Sequence, residues 1–202
     1  LLFSYLNELN ELNDESYLIQ SSTQFFDVAG RNSFYSEMYA NLYTEIKNIY
    51  PIFEEHKEQF MMDCVDNLDT IQYIDETVDY EGYCKNNKNN DIRRSMNKFV
   101  INLYKKGECT VQEVFKIINL IQDKITKSKH DSTQVHVIEE LTENLYIFMF
   151  ALSSELKTHI KWESVYEFID QFSKIKISEY GGLTSRIKFK YMDMIDVIKK
   201  NK

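Results

Sequence analysis

The sequence predicts an all-α protein, an α-solenoid of antiparallel helix pairs with about nine helices. Three observations predict the all-α class. Glycine and proline are scarce, 5 and 1 among 202 residues, where sheet proteins of this length spend more of both on turns. Apolar residues make up 43% of the chain and recur at three- and four-residue spacing almost from end to end. The connections between these stretches are mostly short, which makes neighbouring helices antiparallel. Pairs of about 40 residues fall in the period range of helical solenoids. No self-similarity between pairs is visible, so periodicity alone fits a globular bundle equally well.

Leu2, Leu6 and Leu9 begin the first helix. Asn13-Asp14-Glu15 offers the cap of a second, which carries Leu18, Phe25, Phe26 and Ala29 and stops at Gly30. A third follows Asn32-Ser33 and turns Met38, Leu42, Ile46 and Ile49 inward. Pro51 ends it and suits the first turn of a fourth, whose apolar positions run from Phe53 through Cys64 to Ile71. Residues 75–91 are acidic, then Asn-rich, and read as a flexible exposed linker or a frayed, poorly packed helix. Met96, Phe99, Val100, Leu103 and Tyr104 form the next stripe, which ends at Gly107. Thr110 caps a helix with core positions from Val111 to Ile125, and residues 126–133 form a loop. A long helix follows from Val135 to Leu152, then one holding Val165, Phe168, Ile169, Phe172 and Ile175. The Gly181-Gly182 break precedes the last helix. Thr184 or Ser185 caps it, and Ile187, Tyr191, Met194, Ile195 and Ile198 share one face.

A chain of this length is most simply one domain, here taken as residues 1–202, and is long enough to bury a substantial core. No run of about 18 apolar residues exists, so no spanning helix and no membrane partner are expected. The chain begins on Leu1 rather than Met, which predicts a segment of something longer. Cys64, Cys84 and Cys109 are odd in number and lack metal-ligand spacing, which points to a reducing compartment, cytoplasm or nucleus; of the two, the cytoplasm is the expected location. Net charge is -8, unevenly spread: residues 1–100 carry 18 acidic and 8 basic groups, residues 101–202 carry 14 and 16. Catalysis is not expected. His130-Asp131 and His136 are too far apart in register to share a helix face, no paired-carboxylate helical motif occurs, and no Gly-rich phosphate loop is present. No cofactor and no metal are expected.

Four blocks, in order, carry a family resemblance. They are Leu6-Asn7-Glu8-Leu9-Asn10 at the start; Phe34 to Tyr43 (Phe-Tyr-Ser-Glu-Met-Tyr-Ala-Asn-Leu-Tyr); Arg93-Arg94-Ser95 with Lys98-Phe99-Val100-Ile101-Asn102-Leu103-Tyr104-Lys105 and Thr110; and Ser185-Arg186-Ile187-Lys188-Phe189 with Asp193, Ile195 and Asp196. In this order and spacing they resemble the middle domain of eukaryotic translation initiation factor 4 gamma, a HEAT-repeat scaffold. The family's Gly-Asn pair before Lys98-Phe99 is missing, so that block aligns only with a two-residue gap, and the acidic first half departs from the family's pattern. Heavy use of Tyr, Asn, Ile and Lys suggests an AT-rich genome, such as that of a divergent protist or a large DNA virus.

The resemblance implies a translation-initiation scaffold that binds a DEAD-box RNA helicase of the initiation factor 4A type and speeds its ATPase cycle by holding its lobes half open. A cap-binding protein would attach through segments outside this chain, and mRNA is a further possible partner. The alternative is a related middle-type scaffold serving another DEAD-box helicase in splicing, mRNA decay or deadenylation. A third reading, an unrelated helical enzyme or structural viral protein, treats the matches as coincidence. Leu6 and Leu9 match the family's opening leucines and either touch the helicase or fill the contact with the second helix. Trp162 either anchors a partner or seals a helix start, and Arg186 either lines a basic surface or holds a neighbouring helix through a carboxylate. Arg93, Arg94, Lys98, Lys105 and Lys106 are the densest basic group. They form either an RNA-binding strip with Tyr104 nearby or a solvated face.

Overall fold

In the computed structural model, residues 2–11 and 15–200 are described, apart from the side chains of Leu2, Phe3, Tyr5, Leu9 and Asn10. Among the described residues there are nine α-helices and no strand. They are α1 (Leu2–Glu11), α2 (Glu15–Arg31), α3 (Ser36–Lys47), α4 (Ile52–Asp66), α5 (Tyr80–Lys105), α6 (Val111–Ser128), α7 (Val135–Leu156), α8 (Trp162–Lys174) and α9 (Ser185–Lys200). The arrangement is solenoid-like. One row runs α2, α5, α7, α9, each helix packed on the next, and α4, α6 and α8 form a second row beside it. No described helix is long and apolar enough to cross a membrane.

Local chemistry explains most boundaries. Thr110 and Glu113 form a reciprocal capping box at the start of α6: the Glu113 backbone N–H donates to Thr110 Oγ1 at 3.2 Å, and the Thr110 N–H donates to Glu113 Oε2 at 2.6 Å. α5 ends in a Schellman turn, with the Glu108 N–H donating to the Leu103 carbonyl and Gly107 at φ +77°, a left-handed conformation that glycine adopts without penalty. α6 runs through Ser128, three residues into the stretch expected to be loop.

Two segments differ from expectation. Residues 80–91, read as a linker or a frayed helix, are the first turns of α5. Asp79 caps them by accepting from the Gly82 N–H at 2.9 Å, and buried Asn86 donates to the Gln72 carbonyl at 3.0 Å. Helix formation is cooperative, so the well-packed turns from Ile92 onward propagate back through this polar stretch. On α3 the inward face is Ser36, Ala40, Tyr43 and Ile46, whereas Met38, and Ile49 in the turn just after the helix, are exposed. The small residues let α3 approach α5 closely enough for Asn102 Nδ2 to donate to Ser36 Oγ at 2.9 Å.

The core is aromatic in the first half, where Phe26, Phe60 and Phe99 meet with centroids 5.3–6.2 Å apart. It is aliphatic in the middle, where α6 and α7 bury Val114, Ile117, Ile118, Ile121, Leu141 and Leu145.

Candidate interaction surfaces

The paired arginines of α5 sit in a polar network between α5 and α7. Glu140 of α7 is 5% exposed and accepts two bonds from the Arg94 guanidinium, while Arg93 Nη1 stands 4.0 Å away. Asn144 Nδ2 donates to Glu140 Oε1 at 2.8 Å, and Asn97 Nδ2 donates to Asn144 Oδ1 at 2.6 Å. Arg93 also donates to the Asn67 carbonyl, Asn90 Oδ1 and Thr70 Oγ1, tying α5 to the turn after α4. Burial lowers the Arg93 pKa against the opposing pull of Glu140. Burial acts the same way on Arg94, but the Glu140 hydrogen bonds and charge outweigh it and raise the value.

The predicted RNA strip is reduced accordingly. Arg93 is 3% exposed and has no surface to offer a phosphate. Arg94 is held by Glu140, and Lys106 Nζ faces Glu37 Oε1 at 3.9 Å. Lys98 and Lys105 remain exposed, and neither makes an ion pair among the described residues.

Of the residues expected to touch a helicase, Leu6 is wholly buried, and α1 packs on α2. That placement corrects its reading as a surface contact: an apolar side chain at the α1–α2 contact is withdrawn from water and from any partner. The side chain of Leu9 lies outside the described residues. Trp162 opens α8 at 8% exposure, with Tyr166 one turn on and ring centroids 6.4 Å apart. It seals the helix start, so its reading as a partner anchor is corrected too, while Ile160 two residues before it is 91% exposed. Arg186 is exposed, with Nη1 3.7 Å from Glu139 Oε2 on α7; Thr184 Oγ1 bonds the same carboxylate at 3.3 Å.

The histidines are not brought together. His136 stacks on Tyr73 at 4.0 Å between centroids, and His130 lies over Tyr180 at 4.9 Å. Among the described residues no three His, Cys, Asp or Glu side chains converge as a metal site.

Sequence reasoning missed a groove along α5. At one end Arg31, Ser33, Lys88, Arg94, Ser95 and Lys98 surround a basin of about 630 Å³. Ser33 and Lys98 also border an apolar pocket of about 340 Å³, where Ile101 of α5 faces Tyr146, Ile147, Phe150 and Ala151 of α7. Phe150 is 62% exposed, and its ring lies 6.0 Å from Tyr146 at 30°. Lys190 Nζ sits 4.3 Å above the other ring of that pair, Tyr146. The signal was present: Phe150 falls about 200° around the helix from Phe148, so both cannot face the core.

The fold defines the chain as an all-α, solenoid-like protein. No protein-family model matches the chain, and no curated protein sequence matches it.

Proposed function

We propose that this chain is a non-catalytic scaffold whose partner is a DEAD-box RNA helicase of the initiation factor 4A type, acting in cytoplasmic translation initiation. One observation carries the reading. The four blocks that resemble the initiation factor 4 gamma middle domain fall, in order, on α1, the turn into α3 and its body, the second half of α5 through the α6 cap, and α9 of a solenoid-like stack. A stack of helix pairs presents helix edges and connecting turns to a partner, and such a scaffold acts by biasing the partner between states. With Leu6 and Trp162 in the interior, the contact is assigned to exposed Ile160 in the α7–α8 turn and to Arg186.

Calorimetry with purified initiation factor 4A tests this. Ile160→Asp and Arg186→Glu should each weaken binding roughly tenfold while leaving the helical circular dichroism unchanged. No binding by the folded wild-type chain would end the initiation-factor reading. Binding only to a splicing or decay helicase would move the scaffold to that pathway.

A further inference from the structure

The basic end of the α5 groove contains a buried polar atom with nothing to bond. Ser95 is 4% exposed, and its Oγ has no hydrogen-bond partner. A serine inside a helix ordinarily bonds the carbonyl one turn back, and a buried hydroxyl left alone costs free energy. Ser95 lines the basin that Arg31, Ser33, Lys88, Arg94 and Lys98 complete, with its Oγ turned away from solvent. Two of those cations are held in place by carboxylates: Arg31 by Asp27 at 2.6 Å, and Arg94 by Glu140. Lys88 and Lys98 make no ion pair among the described residues. The one carboxylate on the wall, Asp91, lies 3.6 Å from Arg94.

The occupant that fits is an oxyanion with several acceptor atoms. Ser33 and Ser95 supply hydroxyls, and the lysines and arginines supply charge. A turn about the Ser95 Cα–Cβ bond would bring the orphan donor to a ligand oxygen in the basin. Next to this spot, sharing Ser33 and Lys98, is the apolar pocket of Ile101, Ile147 and Phe150.

We propose that the groove along α5 binds a phosphorylated serine or threonine of a protein segment, with the phosphate between Ser95 and Lys98 in the basin beside the end of α2 and a neighbouring apolar side chain against Phe150 of α7. A phosphomonoester carries close to two charges and three acceptor oxygens on one group, which suits a compact basic spot. An RNA backbone carries one charge per phosphate and gains affinity by following a long basic track. Here the track is short: Arg93 is interior, Lys106 faces Glu37, and residues 1–100 are net acidic. This proposal goes beyond the helicase reading and does not depend on it, because neither Ile160 nor Arg186 borders the groove.

The test passes the purified chain over an immobilised degenerate peptide library with a fixed central phosphoserine, in parallel with the same library carrying serine. Fluorescence anisotropy then measures the selected peptide, its unphosphorylated form and a single-stranded oligouridine. The expected result is a preference of roughly tenfold to a hundredfold for the phosphorylated peptide. Selection of a large apolar residue beside the phosphoserine is also expected. Lys98→Glu should abolish the preference, and Phe150→Ser should erase the apolar selection. Ser95→Ala should weaken phosphopeptide binding without lowering the unfolding temperature, which separates a ligand contact from a structural role. Equal affinity for both peptides overturns the proposal, as does no binding to either. Tighter, steeply salt-dependent binding of oligouridine would assign the groove to nucleic acid instead.

Discussion

Burial decides what individual side chains can do. Glu140 is the clearest case, because two arginines and Asn144 converge on a carboxylate that water barely reaches. Removing one member of such a group leaves the others desolvated. Glu140→Ala should therefore cost about 3 kcal/mol in urea unfolding, the lower end of the usual range because Arg94 is partly exposed. Glu140→Gln should cost less, since its amide oxygen still accepts from Asn144. The thiols divide on the same principle. Burial pushes Cys109 up to about 12 and Cys64 well above the ordinary thiol value, whereas Cys84 is exposed. A thiol-reactive chromophore at pH 8 should modify one cysteine in the native protein and three after denaturation. Fast native labelling of a second thiol would contradict the packing of α4 against α6. These polar interiors were poorly legible in the sequence. Arg93 and Arg94 read as surface charge because nothing local announces that Glu140, 46 residues away from Arg94, will meet them. Asn97 and Asn144 gave a faint signal as polar residues inside apolar stripes.

Elements were more legible, because caps and breakers act locally. The Thr110–Glu113 box, the Gly107 turn and the Pro51 start were all readable from short patterns. Thr110→Ala should destabilise the chain by about 1 kcal/mol, measured as a lower urea midpoint at constant slope. Gly182 has a different cause. A Cβ there would lie 2.8 Å from both the Asp131 and Ser128 carbonyl oxygens, which are backbone and cannot swing away. The Gly182 N–H also donates to the Lys129 carbonyl at 3.0 Å. This close approach docks the turn before α9 on the α6–α7 turn. Gly182→Ala should cost roughly 1–3 kcal/mol and loosen α9, seen as faster amide exchange in that helix. The sequence marked Gly181-Gly182 as a break; the reason for it is a tertiary contact. The α3 face was misread because apolar size was taken as the guide, whereas close packing on α5 selected Ser36 and Ala40.

At the scale of the whole molecule, the α5–α7 contact joins the acidic first half to the near-neutral second half, and acid weakens the fold through its carboxylates. The Glu54 carboxyl is pushed up by burial, but bonds from Lys57 and Tyr43 outweigh this and hold it below the usual value. Glu113 behaves alike: burial raises it, and hydrogen bonds from the Thr110 N–H and hydroxyl outweigh burial and lower it. A carboxyl depressed in the native state stabilises the fold above its unfolded value, about 4.3, and that stability is lost as pH falls through the lower native value. Urea midpoints should thus be flat from pH 7 to 5 and decline below about 4.3. The all-α class and the positions of the helices were open to sequence reasoning because hydrophobic period and turn chemistry are local. The basic basin and the Phe150 pocket were not, because each forms only when α5 meets its neighbours. The central claim, a scaffold that regulates a helicase, is tested most directly by RNA-dependent ATP turnover of purified initiation factor 4A with and without this chain. Turnover should rise, saturate with added chain, and fall back to the unstimulated rate with Ile160→Asp. Unchanged turnover at saturating, folded chain, together with no binding, would contradict that claim.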